Sequence, residues 1–220
     1  MEPARHPRIK ICCIRDVAEA WMAMGHGASA LGLVSAMPSG PGVIEEAAIA
    51  VVAEVVPPGV ATFLLTSLQD APSIVAQHRR LRTTTLQIVD QLTSGTYQEL
   101  REALPGIGLV QVIHVLGPEA LDEAVAVAPE VDAILLDSGN PALAVKELGG
   151  TGRRHDWAIS RQIREAIRVP IYLAGGLTAA NVAGAIEAVG PFGLDLCTGV
   201  RTDGRLDEAK LARFIEAARS

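Results

Sequence analysis

Two adjacent cysteines, Cys12 and Cys13, close the apolar run IKICCI, and Asp137 closes another, VDAILLD. A thiol and a carboxyl group make a usable acid–base pair, the thiolate taking a proton and the carboxylic acid giving one. A free thiol titrates near about 8.5, so a base working at neutral pH needs surroundings that favour its anion. An acid must instead hold its proton, which burial favours. Side chains alternate along a strand, so the two cysteines are expected on opposite faces, with one of them inside. Lys10 is expected to point elsewhere by the same alternation. Three glycine-bearing stretches, LGGTGRRHDW, LAGGL and CTGV, add a different chemistry. Glycine lets backbone N–H groups approach an anion with no Cβ in the way, and three such loops together suggest a phosphate cradle.

The elements that must position these groups follow from periodicity. Short β-branched runs alternate with longer Ala- and Glu-rich segments of helical spacing. Strands are predicted at 9–14, 30–34, 60–65, 84–89, 109–115, 131–137, 169–175 and 193–199. Helices are predicted near 16–25, 44–55, 71–80, 96–104, after Pro118, 158–167, 178–189 and 206–219. Eight strand–helix units with no linker predict a single α/β domain over residues 1–220, a (β/α)8 TIM barrel. An open doubly wound sheet is the competing arrangement, but no GxGxxG follows the first strand. In such a barrel the site lies at the C-terminal strand ends. That is where Cys12, Cys13, Asp90, His114, Asp137 and the glycine loops fall.

Composition narrows the function. The 220 residues carry a net charge of −6 and only 3% aromatics, which argues against nucleic-acid partners and stacking platforms. Three cysteines without regular spacing predict no disulfide framework. The start, MEPARHPR, lacks the apolar core of a signal peptide. No apolar run is long enough to span a membrane. The expectation is a soluble cytoplasmic protein with no membrane partner, acting as a monomer or homodimer.

Taken together, the motifs resemble the phosphoribosylanthranilate isomerase family, (β/α)8 barrels of tryptophan biosynthesis. KICCI resembles that family's opening Lys-Ile-Cys-Gly, and GHGASALGLV its second strand. ILLDS followed by GGTGRRHDW, then IYLAGGLTAANV, then GLDLCTGV, resemble its strands six to eight in order. The resemblance implies a phosphorylated sugar substrate, no cofactor and no metal. It implies Cys12 as general base and Asp137 as general acid of an Amadori rearrangement. Gly150, Thr151, Gly152, Gly175, Gly176, Thr198 and Gly199 would line the phosphate side. Cys13 stands where the family has glycine and is expected to point away. Asp195 is expected deeper, as a structural residue or a substrate contact, and His114, Arg153 and Arg201 complete the substrate-side candidates.

The sequence departs from the family around the anthranilate. After strand two the family carries Ser-Pro-Arg, whose Arg meets the carboxylate; here SAMPSGPGVI has no Arg. Asp90 replaces a glycine after strand four, and Arg201 replaces a glutamate after strand eight. Three readings stay open. A cation from another loop (Arg153, Arg154, His155 or Arg201) replaces the missing charge, the substrate is a different phosphorylated sugar, or the barrel binds a phosphosugar without turnover. A metal epimerase would need more strand-end His ligands than His114. A Schiff-base aldolase would need a strand-end Lys, and Lys10 is placed inside strand one.

Overall fold

The computed structural model describes residues 6–220, so the first five residues of the charged start lie outside the described residues. Eight parallel strands close into a barrel in chain order. They are β1 (Arg8–Ile11), β2 (Ala30–Val34), β3 (Ala61–Thr66), β4 (Thr85–Ile88), β5 (Gly108–His114), β6 (Ala133–Asp137), β7 (Ile171–Leu173) and β8 (Gly193–Leu196). Closure is made by β1 against β8, with Lys10 opposite Asp195. The helices α1 (Val17–Gly25), α2 (Glu46–Val55), α3 (Ala71–Leu81), α4 (Tyr97–Ala103), α5 (Glu119–Val127), α6 (Trp157–Ala166), α7 (Val182–Val189) and α8 (Glu208–Arg219) surround it.

Two-residue alternation sorts the strands into two cores. Ile9, Ile11, Leu31, Leu33, Leu64, Ile134, Leu136, Leu194 and Leu196 face the helices. Ala30, Val34, Phe63, Leu65, Val110, Val112, Ala133 and Leu135 fill the interior together with Cys12. A strand buried on both faces reads as a continuous apolar run, as these do. Helix starts are set by local side chains: Asp16 accepts from Glu19 N–H and Asp70 from Ser73 N–H, each at 2.9 Å. Thr96 and Glu99 form a reciprocal capping box on α4. Each such cap contributes about 1 kcal/mol.

The structure departs from the predicted elements at four main places, one being the eighth strand, which ends at Leu196, not 199, before a 3-10 turn at Thr198–Val200. The first strand ends at Ile11, not Ile14, because Cys13 turns into the left-handed region with φ of 64°. The seventh strand shortens to three residues between Pro170 and the positive-φ Gly175. A small antiparallel hairpin, β9 (Arg201–Thr202) with β10 (Arg205–Leu206), follows the eighth strand and was not predicted. No helix among the described residues is long and apolar enough to cross a membrane.

One pH response follows from the scaffold. His78 is buried on α3 and donates through Nε2 to the Thr83 carbonyl at 2.8 Å. Burial depresses its pKa despite that hydrogen bond. Burial also depresses that of His155, against the opposing pull of Asp137 and Asp156. Both are held neutral, so below about 6.5 the unfolded chain takes up protons the folded chain resists. Their contribution is complete above that pH and is lost as pH falls through the depressed values. The urea midpoint is expected to fall between pH 7.5 and 5.5, and to fall less in His78→Gln. The lowered carboxylates Asp70 and Asp207 act only below about pH 4, so the two effects separate.

Candidate active site

The C-terminal mouth of the barrel opens into a cavity that, with the open solvent at its entrance, encloses about 700 Å³ of empty space. One wall is apolar, made by Val34, Met37, Leu65, Val89 and Leu148. The opposite wall is the glycine cradle. Gly150, Thr151, Gly152, Gly175, Gly176, Thr198 and Gly199 all line the cavity, as do Cys12 and Asp137. Among the described residues the amides of Gly152, Gly175 and Gly176 donate no hydrogen bond within the protein. The Gly-Gly turn is held open by Asn181, whose Nδ2 donates to the Gly176 carbonyl at 2.9 Å while its Oδ1 accepts from Thr178 N–H at 2.8 Å. Gly176 has φ of 63°, and at Gly199 a Cβ would sit 2.1 Å from the Leu177 carbonyl oxygen. No side chain fits at Gly199 without moving backbone.

Asp137 closes β6 and is 9% exposed. Its Oδ1 accepts from Ser138 N–H at 2.7 Å, and its Oδ2 is directed toward Gly149. Ser138 fixes the loop that passes over this carboxylate. Its hydroxyl donates to the Arg153 carbonyl at 2.7 Å and accepts from Thr151 Oγ1 at 2.8 Å. Cys12 lies inward from β1, with its sulfur against Gly32, beside the Lys10 ammonium. Lys10 is wholly buried, paired with Asp195 at 2.9 Å, and sits over the Phe63 ring at 5.2 Å. Burial alone would lower its pKa, but Asp195 and then Cys12 and Cys13 outweigh that and hold it above its ordinary value. Lys10 is therefore favoured as a cation below the sulfur. The expectation that alternation sends Lys10 elsewhere is corrected, since residues two apart on a strand share a face.

Cys13 is the second correction. Its left-handed backbone ends the alternation, so both cysteines line the same cavity. Its thiol donates to the Pro41 carbonyl at 3.7 Å. Interaction with Cys12 and Cys197, then burial, holds that thiol protonated well above the usual range. Cys197 moves the other way, favoured as an anion by Cys13 and, against burial, by Arg201. All three cysteines are free thiols.

The structure places three substrate-side candidates outside the cavity lining. Arg201 forks onto Glu19 at 3.1 and 3.0 Å and donates to the carbonyls of Cys13, Cys12 and Gly204. It is a strut that fixes the Cys12–Cys13 turn, with its charge already matched. Arg153 pairs with Glu147 outside the cavity, and His114 turns to the Val89 carbonyl at 3.0 Å. Neither lines the mouth. Arg154 stacks on Trp157 at 4.8 Å, and His155 bonds Ser160 at 2.7 Å; both line a separate depression and not the mouth. Asp195 does line the cavity floor.

Two further residues were not among the site candidates. Gln87 lines the cavity with its buried Oε1 unpartnered; its inward parity on β4 was the available signal. Lys146, in the loop after β6, reaches Asp90 at the end of β4, 56 positions away in sequence, which no local pattern reveals.

Comparison with known proteins identifies the family. The family model for N-(5'-phosphoribosyl)anthranilate isomerase matches residues 9–217. The chain belongs to the phosphoribosylanthranilate isomerase family. N-(5'-phosphoribosyl)anthranilate isomerase 2 of Methanosarcina mazei is 34% identical over 97% of this chain and 94% of its own length. The isomerase of Nostoc punctiforme is 33% identical over 95% and 97%. The crystal structure of phosphoribosylanthranilate isomerase from Thermotoga maritima superposes with a TM-score of 0.80 at 25% identity, covering 97% of this chain and 98% of that one. A further isomerase structure, in complex with reduced 1-(o-carboxyphenylamino)-1-deoxyribulose 5-phosphate, shares the fold with a TM-score of 0.77 at 23% identity, covering 97% and 98%. The (β/α)8 architecture of the isomerase family is thus the architecture of this chain.

Proposed function

We propose that this chain is an isomerase of tryptophan biosynthesis. It converts N-(5'-phosphoribosyl)anthranilate to 1-(2-carboxyphenylamino)-1-deoxyribulose 5-phosphate at the barrel mouth. The observation that carries this reading is that Cys12 and Asp137 line one cavity with the glycine cradle, in a chain of this family.

The sugar phosphate lies against the cradle amides, so that the ribose is held between sulfur and carboxyl group. Asp137 gives its proton to the furanose ring oxygen. The ring C–O bond breaks as the anilino nitrogen lone pair forms a C1=N iminium. The Cys12 thiolate then removes the C2 proton, and that electron pair forms C1=C2 while neutralising the nitrogen. Proton return to C1 and loss of the C2 hydroxyl proton leave the ketone. C1 is reduced as C2 is oxidised, so the rearrangement is balanced within the substrate. The Lys10 cation compensates the thiolate charge from below, and the Arg201 strut keeps Cys12 aimed inward.

The deciding experiment is complementation of a tryptophan auxotroph lacking this isomerase, together with the purified assay. Growth and turnover that need both Cys12 and Asp137 are expected; growth indifferent to Cys12→Ala and Asp137→Asn would defeat the acid–base assignment. The cradle has its own test. Gly199→Ala is expected to raise KM at least tenfold and to weaken competition by inorganic phosphate in parallel, because its Cβ collides with the Leu177 carbonyl.

A further inference from the structure

The cavity is asymmetric in a way the acid–base pair does not explain. Its apolar wall of Val34, Met37, Leu65, Val89 and Leu148 has the chemistry to pack a hydrocarbon ring. Lys146 is not itself a lining residue, but its sequence neighbour two positions on and the residues that hold it adjoin that wall. Ser39 and Leu148, which flank Lys146, both line the cavity, and Ser39 Oγ donates to the Lys146 carbonyl at 2.6 Å. Its Nζ reaches Asp90, next to the wall residue Val89. The Asp90 carboxylate is 7% exposed while the lysine side chain is 39% exposed, so Lys146 is the accessible member of the pair. A lysine ammonium has three donors and Asp90 takes one. The other cations of this face, Arg153, Arg154 and Arg201, are engaged as described. Arg15 lines a separate depression behind Cys13 and Pro41. An apolar wall with a half-exposed ammonium close by is the complement of an aryl carboxylate.

We infer that Lys146, held by Ser39 and Asp90, turns its ammonium to the mouth when substrate is bound, binds the carboxylate of the substrate's aromatic ring and determines specificity for it. This rests on the isomerase reading and names the residue that meets the charge at its far end. Asp90 sharpens the effect. With Lys146 present the pair is neutral and donors remain; without it, an unpaired aspartate faces the incoming carboxylate.

The test is calorimetric binding of two probes. One is reduced 1-(o-carboxyphenylamino)-1-deoxyribulose 5-phosphate; the other is the same compound with a plain phenyl ring. Lys146→Met is expected to weaken the carboxylate probe roughly tenfold, in the range of a partly exposed charge-assisted hydrogen bond. It is expected to leave the phenyl probe unchanged, and Lys146→Arg to restore the difference. Equal loss for both probes would reduce Lys146 to a loop strap and overturn the inference. So would no loss for either, or a carboxylate-specific loss in Arg15→Met in place of Lys146→Met. Turnover by the parent chain is read separately: no turnover with probe discrimination intact would defeat the isomerase reading and leave the carboxylate contact standing.

Discussion

Cys12→Ala is expected to lower kcat by about two to four orders of magnitude, the usual share of a positioned general base. The unfolding transition should stay close to the parent's. Cys12 is 6% exposed and contributes one sulfur to the interior, so its loss leaves only a small void. KM should change little, because the glycine cradle and the apolar wall are untouched. The comparison that makes this informative is Cys13→Ala. Both thiols line the cavity, but Cys13 is held protonated by its sulfur neighbours and by burial, and its backbone occupies the left-handed region where a glycine is at ease. Cys13→Gly is expected to keep turnover within about threefold, and to be no less stable in urea than Cys13→Ala. If Cys13→Ala lost as much kcat as Cys12→Ala, the assignment of the base would move to the second sulfur.

Lys10→Met is the largest expected loss of stability. The ammonium is wholly buried and its main partner, Asp195, is buried with it. Removing one member leaves an uncompensated carboxylate inside the barrel, which costs about 3–5 kcal/mol. Desolvation then forces Asp195 toward its neutral form, so the variant should recover part of its stability at acid pH. The double variant Lys10→Met/Asp195→Leu is expected to recover most of it at neutral pH, since an apolar replacement of a buried pair is often neutral. Urea denaturation across pH separates these outcomes. Equal midpoints for the single variant and the parent would mean that the pair carries no strain on removal and that water reaches the barrel floor.

Much of the architecture was legible in the residue pattern, for local reasons. A strand buried on both faces needs an unbroken apolar run, and a helix over it needs a 3.6-residue stripe, so eight repeats of that alternation specify a closed barrel. Two-residue parity likewise puts Cys12 inside, and Asp137 inside with Ala133 and Leu135, once the first inward residue is known; applied correctly it also puts Lys10 inside, against the expectation that it points elsewhere. The glycine loops were visible because an anion cradle needs exposed amides, and that need selects a residue type.

What tertiary structure alone decided is what each charged group meets. Arg201 was a free cation on paper; in the fold Glu19, 182 positions away, absorbs its charge and makes it the strut of the Cys12–Cys13 turn. Lys10 and Asp195 lie 185 positions apart and become neighbours only because β1 closes on β8. Lys146 meets Asp90 because two loops of different strands converge over one mouth. Periodicity reports which face a residue occupies, for it reflects burial within one element. The partner of a charge is set by which elements closure brings together, and by single backbone angles such as that of Cys13, which no repeat in the sequence encodes.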